Sequence, residues 1–371
     1  MNQADVLVIG AGMAGASAAC ELASAGSVIL LERESRPGVH STGRSAALFT
    51  ETYGNATVRA LTRASRAFLE SPPPGFCESA ILKARGALFI ATEDERARLQ
   101  TMAEEEAATG AFEEVSGEEA RARVPVLRPE AAVAALYETG AMDIDVDVLH
   151  QGFLRALRRR GGRVETDAGL AGLRREGGLW IAETAAGAFA APVVVDAAGA
   201  WGDEVAAMAG LAPIGLQPKR RTAALTDGPP MDFAGWRLVI GAAETFYFKP
   251  DAGRLLITPC DETDSPPCDA QAEDLDVAIA VDRVERATTL SIRRISHRWA
   301  GLRTFAPDRT PVCGFDPRAE GFFWLAGQGG YGIQTSPALA KLTARLVTGV
   351  GATQIDDAVI EALAPARFFT P

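Results

Sequence analysis

Asp5-Val6-Leu7-Val8-Ile9-Gly10-Ala11-Gly12-Met13-Ala14-Gly15 sets the reading of the whole chain. The first five residues form a short, β-branched run suited to a strand buried on both faces. It runs straight into a GxGxxG turn, and Ala16 to Ala23 then reads as a helix of small residues. A second apolar run, Ser27-Val28-Ile29-Leu30-Leu31, ends in Glu32, 17 residues past Gly15. Strand, glycine turn, helix, strand and terminal acid make a dinucleotide-binding unit. Gly10 permits the tight turn, Gly12 lets a pyrophosphate approach the backbone, and Gly15 lets helix and strand pack closely. The turn between Gly12 and Gly15 is filled by Met13 and Ala14, at a helix N-terminus whose free N–H groups and dipole favour phosphate. Glu32 would accept hydrogen bonds from the adenosine ribose and would repel the 2′-phosphate of NADP. The motif alone does not choose between NAD and FAD.

Composition narrows the class. The chain has 371 residues, 47% hydrophobic and 23% charged, which is ordinary for a globular protein and points to about two domains. Its 37 Lys and Arg against 48 Asp and Glu give a formal charge of −11, which argues against a nucleic-acid partner. Cys20, Cys77, Cys260, Cys268 and Cys313 are scattered, without a CxxC pair. They suggest neither a disulfide framework nor a metal site, and they fit a reducing, cytoplasmic compartment. No run is long and apolar enough for a transmembrane helix. Asp5 and the lack of early Lys or Arg argue against a signal peptide.

Two later segments repeat the pattern of a buried strand feeding a turn of small residues. Val193-Val194-Val195-Asp196-Ala197-Ala198-Gly199-Ala200-Trp201 leads into a helix starting near Gly202. Phe322-Phe323-Trp324-Leu325-Ala326 leads into Gly327-Gln328-Gly329-Gly330-Tyr331-Gly332-Ile333-Gln334-Thr335 and a helix over Ser336 to Thr348. That helix N-terminus can stabilise negative charge on a reduced cofactor ring. After Glu32 the βα alternation stops, and a loop Arg33-Glu34-Ser35-Arg36-Pro37-Gly38-Val39-His40-Ser41-Thr42-Gly43-Arg44-Ser45-Ala46-Ala47 follows.

Together these segments resemble the FAD-dependent D-amino-acid oxidase superfamily, which includes glycine oxidase, sarcosine oxidase and D-amino-acid dehydrogenases. The resemblance runs along the whole chain. It is most specific toward the bacterial D-arginine dehydrogenase type at His40-Ser41-Thr42-Gly43-Arg44-Ser45-Ala46-Ala47 and Leu216-Gln217-Pro218-Lys219-Arg220-Arg221. It implies an α/β fold in which a Rossmann-like FAD-binding domain (1–75, 142–212 and 300–371) is interleaved with an α+β substrate domain (76–141 and 213–299). The substrate domain would carry a mostly antiparallel sheet, from strands such as 87–91, 245–249 and 254–257. Glu93 to Ala108 reads as an acidic, solvated helix, and Thr263 to Gln271 as a surface loop.

The resemblance also implies a cofactor and a site. FAD would be held noncovalently by Gly10, Gly12, Met13, Ala14, Gly15, Glu32, Arg33, Thr42, Gly43, Arg44, Ser45, Ala46, Ala47 and Val164, the last beside the adenine. Ala198, Gly199, Trp201, Gly329, Gly330, Tyr331, Gly332, Ile333, Gln334 and Thr335 would complete that set. No Cys lies in 301–308, where sarcosine-oxidase relatives attach their flavin. His40 has a counterpart in relatives with noncovalent FAD. No metal is implied.

An amino-acid substrate needs a planar fork for its carboxylate, which Arg supplies. Arg303 and Arg221 match carboxylate-binding arginines of the family. Tyr247 matches a substrate-contacting tyrosine and Tyr53 a lid tyrosine, while Thr50 and Gln334 match further polar positions of the active site. The implied reaction is oxidative deamination of a D-amino acid. Hydride passes from Cα to flavin N5, and the imine hydrolyses to a 2-oxo acid and ammonia. Electrons would leave to a quinone or to O2, and a dehydrogenase is favoured. Where the D-arginine dehydrogenase type has a histidine and a side-chain-binding glutamate, this chain has Leu48 and Ala87, which implies neutral or apolar side chains. A glycine- or sarcosine-type amine oxidase and a 2-hydroxy-acid dehydrogenase share the same frame. A flavin-binding subunit with no activity of its own would give the arginines no reason to converge.

Overall fold

The computed structural model describes residues 2–369. The opening motif folds as its sequence dictates: strand Val6–Ile9, helix Met13–Leu22 and strand Val28–Leu31. All eight strand residues are buried, as expected of an all-apolar run in a sheet covered on both faces. Val6–Ile9 is paired in parallel on one side with Val28–Leu31 and on the other with Val193–Asp196. The sheet continues outward to Arg163–Glu165 at one edge, and through Phe322–Ala326 to the antiparallel strand Val312–Phe315 at the other. This six-stranded sheet is the Rossmann-like element. Helices Met13–Leu22, Val146–Arg159 and Ser336–Thr348 cover one face. A four-stranded sheet built on Leu170–Glu176, Leu179–Thr184 and Gly187–Ala191, with Asn2–Gln3 at its edge, covers the other.

The second large element is a nine-stranded sheet, antiparallel except where Leu238–Gly241 runs parallel to Ala87–Ala91. Its longest pairing joins Gln217–Thr226 to Ile295–Phe305, which sets Arg221 opposite Gly301 and Lys219 opposite Arg303. Strand Ile295–Phe305 runs through residue 300, where the sequence suggests a boundary. The stretch read from Thr245 begins as a strand only at Tyr247, because Gly241 to Phe246 forms a tight turn in which Glu244 adopts φ 52°. Within the segment read as a surface loop, Thr263–Asp264 pairs briefly with Lys219 and Arg220. The acidic segment is a short 3-10 turn, Glu93–Glu95, and a helix, Arg96–Glu105. A small sheet of Leu48–Phe49, Met142–Ile144 and Leu82–Ala84 lies at the junction.

One acid ties the strand end at Asp196 to the long strand that follows. Helix Gly202–Met208 carries Asp203, whose carboxylate accepts the N–H groups of Ile214 (3.0 Å), Gly215 (3.1 Å) and Leu216 (2.7 Å). Bonds to a charged acceptor contribute more than neutral ones. Asp203→Ala should therefore cost about 2–4 kcal/mol of unfolding free energy, read as a lower midpoint in denaturant at an unchanged slope. An unchanged midpoint would show that the turn at 211–216 holds itself.

Candidate active site

The turn at Gly10–Gly15 is close-packed for a physical reason. A Cβ on Gly15 would lie 1.8 Å from the carbonyl oxygen of Gly10, so only glycine lets the helix sit this near the strand. Gly10 has φ 94°, and a Cβ there would meet the Ala197 carbonyl oxygen at 2.7 Å. Gly12, Met13 and Ala14 face a cavity of about 520 Å³ that runs from the six-stranded sheet to the large sheet. The opening turn of helix Met13–Leu22 points into it without a side-chain cap on Gly12. Thr42 Oγ1 accepts from the Met13 N–H at 2.9 Å and links the loop after Glu32 to the helix start. His150, on helix Val146–Arg159, places Nε2 2.9 Å from the Ala11 carbonyl and props the same turn from behind. Burial keeps its imidazole below its ordinary pKa, so it stays neutral.

Glu32 is buried on the wall. Its carboxylate accepts from the Ala11 N–H (2.9 Å) and the Glu34 N–H (3.0 Å), which fixes it at the end of its strand. The adjacent wall is Ala168, Gly169 and Leu170. Val164 pairs with Leu30 one strand away and does not face the cavity. Arg33 lies over the Trp201 ring at 4.8 Å, and His40 packs on the same ring. Arg44 donates to the carbonyls of Ala270 (2.7 Å) and Ala300 (3.1 Å) and pairs with Asp269.

Thr42, Arg44, Ser45, Ala46, Ala198, Gly199, Trp201, Gly329, Gly330, Gly332 and Ile333 all line the cavity. Gly15, Gly43, Ala47, Tyr331, Gln334 and Thr335 stand behind the wall and shape it. A Cβ on Gly43 would meet the Gly38 carbonyl at 2.6 Å, and Ala47 accepts the Ile144 N–H.

The far end of the cavity is cationic. Arg303, Arg221 and Tyr247 line it together. Arg221 donates Nε–H to the Asp261 carbonyl (2.8 Å) and reaches Glu262 at 3.4 Å. Arg303 donates to the Tyr53 hydroxyl at 3.0 Å and forms no ion pair with any carboxylate among the described residues. A Cβ on Gly330 would lie 2.7 Å from the Arg303 guanidinium, so glycine is needed to seat that side chain. Burial pushes the Tyr247 phenol up to about 12, which keeps it a hydrogen-bond donor at neutral pH. Tyr53 packs edge-on against Tyr331 at 4.8 Å.

Gln334 is buried behind this end. It accepts from the Thr50 N–H (3.1 Å) and donates to the Thr50 carbonyl (3.3 Å) and Thr62 Oγ1 (2.9 Å). Both ends of its amide are thus spent on holding Thr50, and neither residue lines the cavity.

Residues the sequence reading passed over include His40 as a wall group, Ser41, Gly301 and Gln328. Ser41 donates to the Leu302 carbonyl at 2.6 Å and couples the two sheets. His40 Nδ1 and Gln328 Nε2 are buried on the wall without a hydrogen-bond partner among the described residues. Asp196 is fully buried, and burial holds its carboxyl well above the ordinary range. The signal for Asp196 was an acid ending an all-apolar strand.

The wall suits an elongated ligand with a phosphate-bearing middle. It offers a helix N-terminus without a side-chain cap from Gly12, a ribose-type carboxylate, small residues along a strand end and the buried polar atoms of His40 and Gln328. The family described as DAO, FAD dependent oxidoreductase, matches residues 5–346. The chain belongs to that family. FAD is therefore its cofactor, and the residues just described fit it.

Among curated proteins, this DAO-family chain is 27% identical over 254 residues to the uncharacterized oxidoreductase YurR of Bacillus subtilis (strain 168). That match covers 65% of this chain and 64% of YurR. It is also 27% identical over 202 residues to the hydrogen cyanide synthase subunit HcnC of Pseudomonas aeruginosa, covering 54% of this chain and 47% of that one. The chain thus spans less than two thirds of the length of these curated relatives. Among solved structures, glycine oxidase from Geobacillus kaustophilus superposes with a TM-score of 0.86 at 23% identity, covering 99% of each chain. L-proline dehydrogenase from P. horikoshii superposes with a TM-score of 0.86 at 22% identity, covering 99% of this chain and 98% of that one. These likenesses establish the mixed α/β fold. No helix among the described residues is long and apolar enough to cross a membrane.

Proposed function

We propose that this DAO-family chain oxidises the C–N bond of a D-amino acid with a neutral or apolar side chain, giving a 2-oxo acid and ammonia after hydrolysis of the imine. One observation carries the reading. Arg303 is a guanidinium on an inner wall and, among the described residues, is held only by a phenol and has no carboxylate partner. A fixed cation without a counter-ion is costly unless a ligand supplies the anion.

In this reading Arg303 and Arg221 grip the substrate carboxylate, and the protonated Tyr247 adds a donor beside them. Gripping one end limits the directions in which Cα can point. FAD, noncovalently bound, supplies the two-electron acceptor chemistry. Gly12, the first turn of helix Met13–Leu22 and Glu32 would hold its nucleotide end. Gly329, Gly330 and Gln328 stand at the cationic end. The electrons then pass to a quinone or to O2, and we favour a dehydrogenase.

Preference for the D series rests on the resemblance of His40–Ala47 and Leu216–Arg221 to D-arginine dehydrogenases. Preference for neutral side chains has support in the wall itself. Its only acids among the described residues are Glu32, already bonded twice, and Glu204. Ala87 is fully buried within its strand and offers no group to a basic side chain.

Anaerobic titration with D- and L-amino acids, glycine, sarcosine and 2-hydroxy acids, following loss of oxidised-flavin absorbance, tests the reading. Neutral D-amino acids such as D-Met, D-Leu and D-Phe should bleach the flavin with kcat/KM about tenfold or more above D-Arg, a difference of about 1.4 kcal/mol. Faster turnover of D-Arg, or bleaching only by sarcosine or a 2-hydroxy acid, overturns it.

A further inference from the structure

Tyr53 reaches Arg303 from a short segment, Thr50 to Gly54, between strand Leu48–Phe49 and helix Ala56–Glu70. Such a segment needs anchors, and one of them comes from outside the cavity. Glu138 ends strand Ala134–Glu138 on the large sheet, directly opposite Ala87 and Phe112. Its side chain is almost wholly buried at 3% exposure. One carboxylate oxygen accepts the Glu51 N–H at 2.9 Å, and the other accepts the Thr52 hydroxyl at 2.7 Å. No Arg or Lys forms an ion pair with it among the described residues, so both acceptor oxygens face the segment.

Resting on the proposed function, we infer that Glu138 is the positioning residue that fixes the Thr50–Gly54 segment and thereby holds the Tyr53 hydroxyl on Arg303. Gln334 pins the start of the segment at Thr50, and Asn55 caps the helix after it by accepting the Val58 N–H at 3.0 Å. Between these two pins, among the described residues, only Glu138 bonds the backbone or a hydroxyl of residues 51 and 52. Arg66 holds the Glu51 side chain at 2.8 Å, on the outer side.

The charged groups around Glu138 make this anchor sensitive to pH. Glu51 stands beside it, paired with Arg66, which also reaches Glu70. Glu106, after helix Arg96–Glu105, faces it and is paired with Arg59. Burial, with Glu51 and Glu106 adding repulsion, raises the Glu138 carboxyl from 4.5 to about 7, against the pull of the Thr52 and Glu51 bonds. Above that value both bonds are charge-assisted, and below it they are ordinary neutral ones. The fold responds with the opposite sign. A carboxyl raised in the native state contributes stability at low pH that is lost as pH rises through the folded value. Acid therefore firms the fold at Glu138 while it loosens the segment.

The test uses the full chain with FAD bound. Amide hydrogen exchange of residues 50–54, corrected for intrinsic rates, reads the anchor without any substrate. Binding of benzoate, a carboxylate without an amine, reads the Arg303 end through the flavin spectrum. In wild type, protection of the segment and benzoate affinity should both rise about threefold to tenfold as pH passes upward through 7, the scale of one charge-assisted bond. Glu138→Gln keeps one acceptor and offers an N–H to Thr52, so it should fold and hold both readouts at the wild type's acid level at every pH. It should also melt above wild type on the alkaline side. Glu138→Ala should lose protection throughout and raise KM more than it lowers kcat.

A pH step that survives in Glu138→Gln, or full protection in Glu138→Ala, overturns the inference. If the segment behaves as stated but no amino acid reduces the flavin, the proposed function falls and the anchor stands. If amino acids are oxidised while the segment ignores Glu138, the reverse holds.

Discussion

Arg303→Met should lower kcat/KM for the amino-acid substrate by roughly 10²–10³-fold while flavin content stays at the wild-type level. Removing one partner of a buried, hydrogen-bonded charge pair costs about 2–5 kcal/mol, and each 1.36 kcal/mol is about tenfold in rate. Flavin is retained because Arg303 stands at the far end of the cavity from Gly12 and Glu32, and its one side-chain hydrogen bond among the described residues is to the Tyr53 hydroxyl. The free protein should not be weakened, since Met fills much of the same space and removes a cation that forms no ion pair among the described residues. Equal or higher Tm, bound flavin and collapsed turnover form the expected combination. Lower Tm with flavin lost would make Arg303 a structural residue. Unchanged turnover would remove it from substrate binding.

Gly15→Ala should have the largest effect on the fold and on flavin content together. The added methyl would sit 1.8 Å from the Gly10 carbonyl oxygen, and both atoms belong to the close crossing of helix and strand. No side chain can swing away to relieve that contact. Helix Met13–Leu22 must lift from the sheet, carrying with it the N–H groups that face the cavity. Overpacking in ordinary cores costs about 1–3 kcal/mol, and a backbone-to-backbone clash of this depth should cost at least about 3 kcal/mol. Purified Gly15→Ala should be nearly colourless and melt well below wild type. Gly12→Ala provides the contrast. Its methyl would meet only Thr42 Oγ1, at 3.3 Å, so that variant should fold normally and bind FAD more weakly. If Gly15→Ala retains full flavin content, the close crossing is not what supports the site.

Local pattern carried the nucleotide half. The apolar runs at 6–9, 28–31, 193–195 and 322–326 can only be strands of a covered sheet, and all but the second, which ends in Glu32, lead into residues small enough for a tight approach. Helix Ser336–Thr348 starts and stops where its Pro337 and Gly349 require. Other features depend on contacts between residues far apart in sequence, which no local periodicity records. The parallel pairing of Leu238–Gly241 with Ala87–Ala91 is one. The three short strands near Leu48, Leu82 and Met142 are another, each too brief to announce itself.

Side-chain chemistry was the least legible. The sequence marks Gln334 and Thr50 as polar residues near a site. It does not reveal that Gln334 spends its amide on Thr50 and Thr62. The same holds for Glu138, an acid at the end of an unremarkable strand.

The polypeptide enters the six-stranded sheet, leaves for the nine-stranded one at Ala87, returns at Arg163, leaves again at Gln217 and comes back at Val312. Severing the gene anywhere between Ala91 and Ile295 would therefore leave each fragment with parts of both sheets and neither complete. A nicked chain could regain colour only if its two pieces recombined, and no terminal deletion as far as Ala87 would release an autonomous flavin carrier. Recombination during evolution would face the same barrier, so neither sheet could be exchanged as a detachable module.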